Sequence, residues 1–174
     1  MIIEYKRVRE HVFPPTRANP SDAGLDIFFS PENMEAVHIE PNSTAVLQTG
    51  LRFGVPHGYM LEVKNRSSVA SKRQLLVGAC VIDSGYDGEV FINLHNVGKA
   101  TQIIEPGQKI AQIVMVPVVA FRAFETGGEL YDMYPITISD RGEGALGSTD
   151  SDTQTAEQLK IPFEDSWRCD THLP

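Results

Sequence analysis

Val90, Ile92 and Leu94 stand at every second position with polar or outward-going neighbours between them, the pattern of a strand with one buried face. Similar short runs predict strands at residues 3–8, 36–39, 44–48, 51–55 and 59–63, broken by Pro41-Asn42, Gly50 and Pro56-His57-Gly58. Residues 110–117 form a near-continuous apolar strand that carries one amide, Gln112. Many short strands with turn formers between them predict an all-β sandwich or barrel and disfavour a parallel α/β enzyme. Residues 77–82 are apolar, 83–88 carry turn formers and Val90 begins the next alternation, so 78–96 reads as a β-hairpin. One short helix is predicted over 66–73, with Ser67 or Asn65 near its N-cap.

At 174 residues the chain is expected to hold one sizeable domain and a tail. Its net charge of −8 repels nucleic acid and anionic membranes, so an anionic ligand needs a local cluster of donors or a divalent cation. No apolar run approaches a membrane span, and the first residues lack the marks of a signal peptide. A cytoplasmic protein without direct nucleic-acid or membrane contact is expected. Cys80 and Cys169 lie far apart, and no Cys or His spacing suggests zinc.

Candidate chemistry gathers at the mouth of the expected hairpin. Asp83 directly follows an apolar run, and Tyr86 is flanked by Gly85 and Gly88, which permit turn geometry and close approach of backbone to a ligand. An ordinary turn, with Asp83 capping its own backbone and Tyr86 packed on a neighbour, has the same pattern. Arg66, Ser67 and Ser68 at a helix N-terminus form a small anion site or a capped helix with a surface arginine. Gln112 is an amide aimed at a ligand or a core residue satisfied by backbone. Asp26, alone, has little weight. Residues 141–150, with three glycines, an arginine and two hydroxyls within nine positions, suit phosphate wrapping or plain disorder.

In this order, Ala23-Gly24-Leu25-Asp26, Arg66-Ser67-Ser68, residues 78–88 with Val81-Ile82-Asp83-x-x-Tyr86-x-Gly88, Pro106-Gly107-Gln108-Lys109-Ile110-Ala111-Gln112, and Arg141-Gly142-x-Gly144-x-x-Gly147-Ser148-Thr149 resemble the five motifs of the trimeric deoxyuridine triphosphatases. The resemblance spans about residues 3–150. It implies an all-β subunit, a distorted jelly roll of the β-clip kind, over 1–150, with 141–150 a mobile arm and 151–174 a C-terminal extension. It further implies a homotrimer whose active sites are shared between subunits.

The implied reaction is Mg²⁺-dependent hydrolysis of dUTP to dUMP and pyrophosphate, which keeps uracil out of DNA and supplies dUMP for thymidylate synthesis. Asp83 matches the carboxylate that positions and deprotonates the water attacking the α-phosphorus. Tyr86 matches the ring under the deoxyribose that excludes a 2′-hydroxyl. Uracil is read by backbone around Cys80, Val81, Ile82 and Phe91. Arg66, Ser67, Ser68 and Gln112 match phosphate contacts, and Arg141, Ser148 and Thr149 match the γ-phosphate side. Asp26 is implied to touch Mg²⁺ through water.

Three departures accompany the match. Leu146, beside Gly147, stands where an aromatic residue usually stacks on uracil; leucine covers the base without stacking. Cys80 stands where glycine is common, so its side chain is expected to point into the core. A loop near 122–134 looks like an insertion. Deoxycytidine triphosphate deaminases are similar, but their catalytic Glu would fall at Asn93, an amide unable to act as acid or base. The other alternative is a regulatory protein that uses dUTP as a switch and binds a protein partner.

Overall fold

The computed structural model describes residues 2–128. The chain divides into two compact units, one ending at Arg122 and the other beginning at Ala123. In the second unit, within the described residues, the Gly128 N–H donates to Thr126 Oγ1 at 3.2 Å.

The first unit is built of short strands in the order β1 (Glu4–Arg7), β2 (Leu25–Phe28), β3 (Val37–Ile39), β4 (Thr44–Gln48), β5 (Leu51–Gly54) and β6 (Tyr59–Lys64). They are followed by helix α1 (Ser67–Arg73), then β7 (Leu75–Val77), β8 (Val81–Ile82), β9 (Phe91–Asn96), β10 (Gln102–Ile104) and β11 (Lys109–Pro117). Every strand pairing is antiparallel, as expected for the predicted all-β, jelly-roll class. A four-stranded sheet in the order β2-β11-β6-β8 and a three-stranded sheet β4-β9-β7 are accompanied by the ribbons β1-β5 and β10-β3. No helix among the described residues is long and apolar enough to cross a membrane.

Alternation explains the core. On β9, Ile92 and Leu94 are fully buried while Phe91 and His95 face outward, and Ile27, Leu61, Ile104 and Ile113 fill the same interior from other strands. Asn96 shares the buried face and is fully satisfied: its amide donates to the Ile39 and Ala100 carbonyls, and Oδ1 accepts from the Gly98 N–H.

The hairpin expected over 78–96 is not formed. β9 pairs with β4 and β7, whereas β8 pairs with β6 in the other sheet. After the Gly78 N–H bonds to the Asn93 carbonyl at 3.0 Å the chain crosses between sheets, and the Cys80 carbonyl accepts from Val63 at 2.7 Å. Alternation fixes which face of a strand is buried but not which strand lies beside it.

Cys80 was expected in the core; it is an exposed free thiol, because the crossing at 78–80 lies outside both sheets. The helix cap falls between the two residues expected near it. Arg66 is the N-cap, in an extended conformation and without a side-chain cap bond, while Asn65 Oδ1 accepts from the Val77 N–H at 2.8 Å.

Candidate active site

Where β8 and β9 part, they leave a cavity of about 210 Å³ lined by Val81, Ile82, Asp83, Tyr86, Val90 and Phe91. Asp83 is the first residue after β8 and is exposed. Its carbonyl accepts from the Tyr86 N–H at 3.2 Å, and Gly85 in the same turn has φ +86°, a conformation that favours glycine.

The Tyr86 hydroxyl donates to the Glu89 carbonyl at 2.8 Å. The ring then lies over Gly88 so closely that a Cβ there would come within 2.6 Å of Cζ. Glycine at 88 therefore makes room for the tyrosine of the same loop. The loop's base is fastened at Glu89, which accepts two bonds from Arg9 at 2.8 and 2.9 Å and one from the Gly50 N–H at 2.8 Å. Burial alone would raise the Glu89 pKa; the bonds from Arg9 and Gly50, with the charge of Arg9, outweigh it and leave the carboxyl below its ordinary value.

A second cavity, of about 300 Å³, is lined by Ala18, Asp22, Ala23, Gly24, Asp26, Arg66, Ser67 and Gln112. Asp26, on β2, accepts from Arg66 Nε at Oδ1 and from Lys109 Nζ at Oδ2, each at 2.7 Å. Desolvation would raise its pKa, but the bonds from Lys109 and Arg66 and their charges hold it below the usual carboxylate range. Gln112 Nε2 donates to the Asn65 carbonyl at 2.9 Å, which leaves its Oε1 beside Gly24, where a Cβ would come within 2.5 Å. Ser67 and Ser68 are exposed in the first turn of α1. This cavity offers the Arg66 guanidinium and the Ser67 hydroxyl to an anion.

Residues 11–149 match the family model described as dUTPase. The chain belongs to the dUTPase family. Its reaction is hydrolysis of dUTP to dUMP and pyrophosphate. It is 38% identical over 117 residues to the deoxyuridine 5'-triphosphate nucleotidohydrolase of Chlamydia trachomatis serovar L2, covering 66% of this chain and 77% of that one. It is 33% identical over 149 residues to the enzyme of the same name from Alkaliphilus metalliredigens, covering 84% and 96%. Among solved structures it resembles a mutant of the Staphylococcus bacteriophage 80alpha dUTPase with dUpNHpp, with a TM-score of 0.73, 27% identity and coverage of 85% and 98%. The dUTPase of phage phi11 of S. aureus, whose structure is described as showing a species-specific insert, gives a TM-score of 0.68, 27% identity and coverage of 75% and 99%.

Against the dUTPase motifs, one cavity brings Val81, Ile82, Asp83, Tyr86 and Phe91 together, and the other brings Asp26, Arg66, Ser67 and Gln112 together. The two groups remain apart within one chain. β8 and β2 are opposite edges of their sheet, and Ile82 lies opposite Leu61 while Arg66 follows the far end of β6. The three residues from Leu61 to the end of β6 at Lys64 span on the order of 10 Å at the rise of a strand, and Arg66 lies beyond them. Cys80 does not line the first cavity. Arg141, Leu146, Gly147, Ser148 and Thr149, and residues 129–134 of the expected 122–134 insertion, lie outside the described residues.

Lys109, Asp22, Arg9 and Glu89 were not among the expected site residues. Lys109 lies inside the fourth motif, where its charge was the available signal. Arg9 and Glu89 are 80 positions apart and have no local signature.

The family uses Mg²⁺, and a phage phi11 neighbour is described as coordinating a structural Mg(II) ion. Among the described residues no three His, Cys, Asp or Glu side chains cluster. The second cavity nevertheless presents two carboxylates, Asp22 and Asp26, hard oxygen donors of the kind Mg²⁺ takes. Both Asp26 oxygens already accept from cations, so this carboxylate is not placed to ligate an ion directly.

Proposed function

We propose that Asp83 is the base of the dUTP hydrolysis, positioning and deprotonating the water that attacks the α-phosphorus in line. The observation that carries this is the shared cavity of Asp83 and Tyr86 between two parted sheets. Backbone of Val81, Ile82 and Phe91 reads uracil there, with that of Cys80 adjoining the cavity without lining it. The Tyr86 ring lies under the deoxyribose and leaves a 2′-hydroxyl without room or partner, at a cost of about 1–3 kcal/mol. Arg66, Ser67, Ser68 and Gln112 hold the phosphates. By their motif, Arg141, Ser148 and Thr149 serve the γ-phosphate, with Leu146 and Gly147 covering the base. Asp26, with Asp22 in the same cavity, would hold a hydrated Mg²⁺ through its waters, and the ion would supply charge neutralisation to the triphosphate. The domain is taken as 1–150, with 141–150 its closing arm and 151–174 an extension.

The working enzyme is a homotrimer with shared sites. The separation of Asp83 from Arg66 within one chain supports this, because both must reach one phosphate chain and a base acts within hydrogen-bond reach or through one water. Substrate then lies between Asp83 of one copy and Arg66 of another.

The test is pyrophosphate release with Mg²⁺ from dUTP, dTTP, dCTP and UTP, for the wild type and Asp83→Ala. Release from dUTP alone, lowered by about 10²–10⁴ in the variant, is expected. Unchanged turnover in Asp83→Ala removes Asp83 from the role. Mixing inactive Asp83→Ala and Arg66→Ala subunits under conditions of exchange is expected to restore activity, since mixed trimers hold some intact sites. No recovery in verified mixed trimers contradicts sharing.

A regulatory role beside hydrolysis is the second reading. It is favoured by the phage 80alpha dUTPase, described as controlling the transfer of virulence genes. For this chain it predicts a protein partner whose binding survives Asp83→Ala and is lost on removal of residues 151–174.

A further inference from the structure

The face that Tyr86 presents to its cavity depends on a residue outside that cavity. The ring is half exposed, and the contacts that fix it are the Tyr86 N–H bond to the Asp83 carbonyl and the hydroxyl bond to the Glu89 carbonyl. The second alone fixes the far end of the ring. That carbonyl shares one planar peptide with the Val90 N–H, and its residue is fastened from the other side by the Glu89 side chain, which enters the protein rather than the solvent and meets the fork of Arg9 and the Gly50 N–H. Arg9 is itself anchored to the Ser30 carbonyl at 2.7 Å. Val90, the next residue, is held by its N–H to Leu51 and by its carbonyl to Thr49 Oγ1. The Arg9 Nε is buried without a partner, a stability cost borne where the bidentate pair is made.

We infer that Glu89, clamped by Arg9, is the positioning residue that holds the Tyr86 ring in place and so sets the discrimination of dUTP from UTP. Neither residue lines the cavity. A bidentate arginine–carboxylate pair fixes direction as well as distance, and the ring's height over the sugar follows from it. Loosening the pair lets the ring drop toward solvent and admits the 2′-hydroxyl. The inference rests on the placement of Tyr86 under the sugar proposed above.

The experiment compares kcat/KM for dUTP and UTP, with Mg²⁺, in the wild type, Glu89→Gln, Arg9→Lys, Tyr86→Ala and the double variant Tyr86→Ala/Glu89→Gln, each checked for folding by circular dichroism. Glu89→Gln is expected to lower the dUTP:UTP ratio on the order of tenfold, within the range of one mispaired hydroxyl, mainly through faster UTP turnover. Arg9→Lys, which keeps the charge but loses the fork, is expected to fall between. Glu89→Gln is expected to have no further effect once Tyr86 is alanine. A ratio that falls in Tyr86→Ala and stays at the wild-type value in both Glu89→Gln and Arg9→Lys overturns this inference alone. A wild type that does not cleave dUTP, or a ratio indifferent to Tyr86→Ala, removes the underlying site reading and this inference with it.

Discussion

Arg66 donates to Asp26 from Nε at 2.7 Å, so the carboxylate holds the inner edge of a guanidinium whose residue lines the second cavity. The first and second motifs are thereby one device. Asp26→Asn keeps the shape and removes the charge that orients Arg66. A lost charge-assisted bond is worth about 1.5–3 kcal/mol, so KM for dUTP is expected to rise on the order of tenfold or more. Lys109→Met, which leaves the Arg66 contact intact, is expected to raise it less. Steady-state kinetics on both variants decides; an unchanged KM in Asp26→Asn contradicts the orienting role.

Acid should loosen the fold at two carboxylates. Asp26 and Glu89 both have pKa values below their ordinary ones in the folded chain. Their unfolded forms take up protons first as pH falls, so the stability they confer is full above the unfolded range, about 4. It is lost as pH drops through that range to the folded values. Urea midpoints measured from pH 7 to pH 3 are expected to fall at the acid end. Glu89→Gln is expected to start lower at neutral pH and to fall less steeply. An equally steep fall in that variant means Glu89 carries none of the effect.

Much of the fold was legible because burial leaves a period. Ile92 and Leu94 announce the inner face of β9, and Gly107 with Pro106 announces the turn before β11. What alternation does not carry is pairing. Residues 77–82 look like one buried strand, yet the chain changes sheets at 78–80, exposing Cys80 and parting β8 from β9. The site shows the same limit. Asp83 and Tyr86 stand in one short segment with turn formers around them. Asp26 acquires its role only when Arg66 and Lys109, 40 and 83 positions away, fold against it.

Gly50 tests how far the loop's base depends on one backbone conformation. Its φ is +70°, and a Cβ there would meet the buried side chain of Val12, with Cγ1 at 3.0 Å. Gly58 has φ +82° with nothing within 4 Å. Gly58→Ala should therefore cost only the left-handed conformation, about 1–2 kcal/mol. Gly50→Ala adds a collision with a core residue that has little room to move, so its loss is expected to exceed that of Gly58→Ala by about 1 kcal/mol or more. Urea unfolding of the two variants measures the difference, and equal losses would show that Val12 moves aside freely.

Gly88 separates the folding role of the loop from its chemical one. A Cβ on this residue would fall within 2.6 Å of Tyr86 Cζ and collide with the hydroxyl as well. The colliding group is the outer end of a half-exposed side chain, free to swing toward solvent, and Gly88 does not need a positive φ. In Gly88→Ala the ring should therefore move and the backbone stay. Stability is expected to change by no more than about 0.5 kcal/mol, as for a surface substitution. The hydroxyl's bond to the Glu89 carbonyl is lost, and the dUTP:UTP ratio of kcat/KM is expected to fall severalfold, an effect of the order of one displaced hydrogen bond. Thermal unfolding alongside the two-substrate assay gives both readings from one preparation. A large loss of stability with an unchanged ratio would mean that Gly88 serves the backbone of the turn and that Tyr86 does not need the space it leaves.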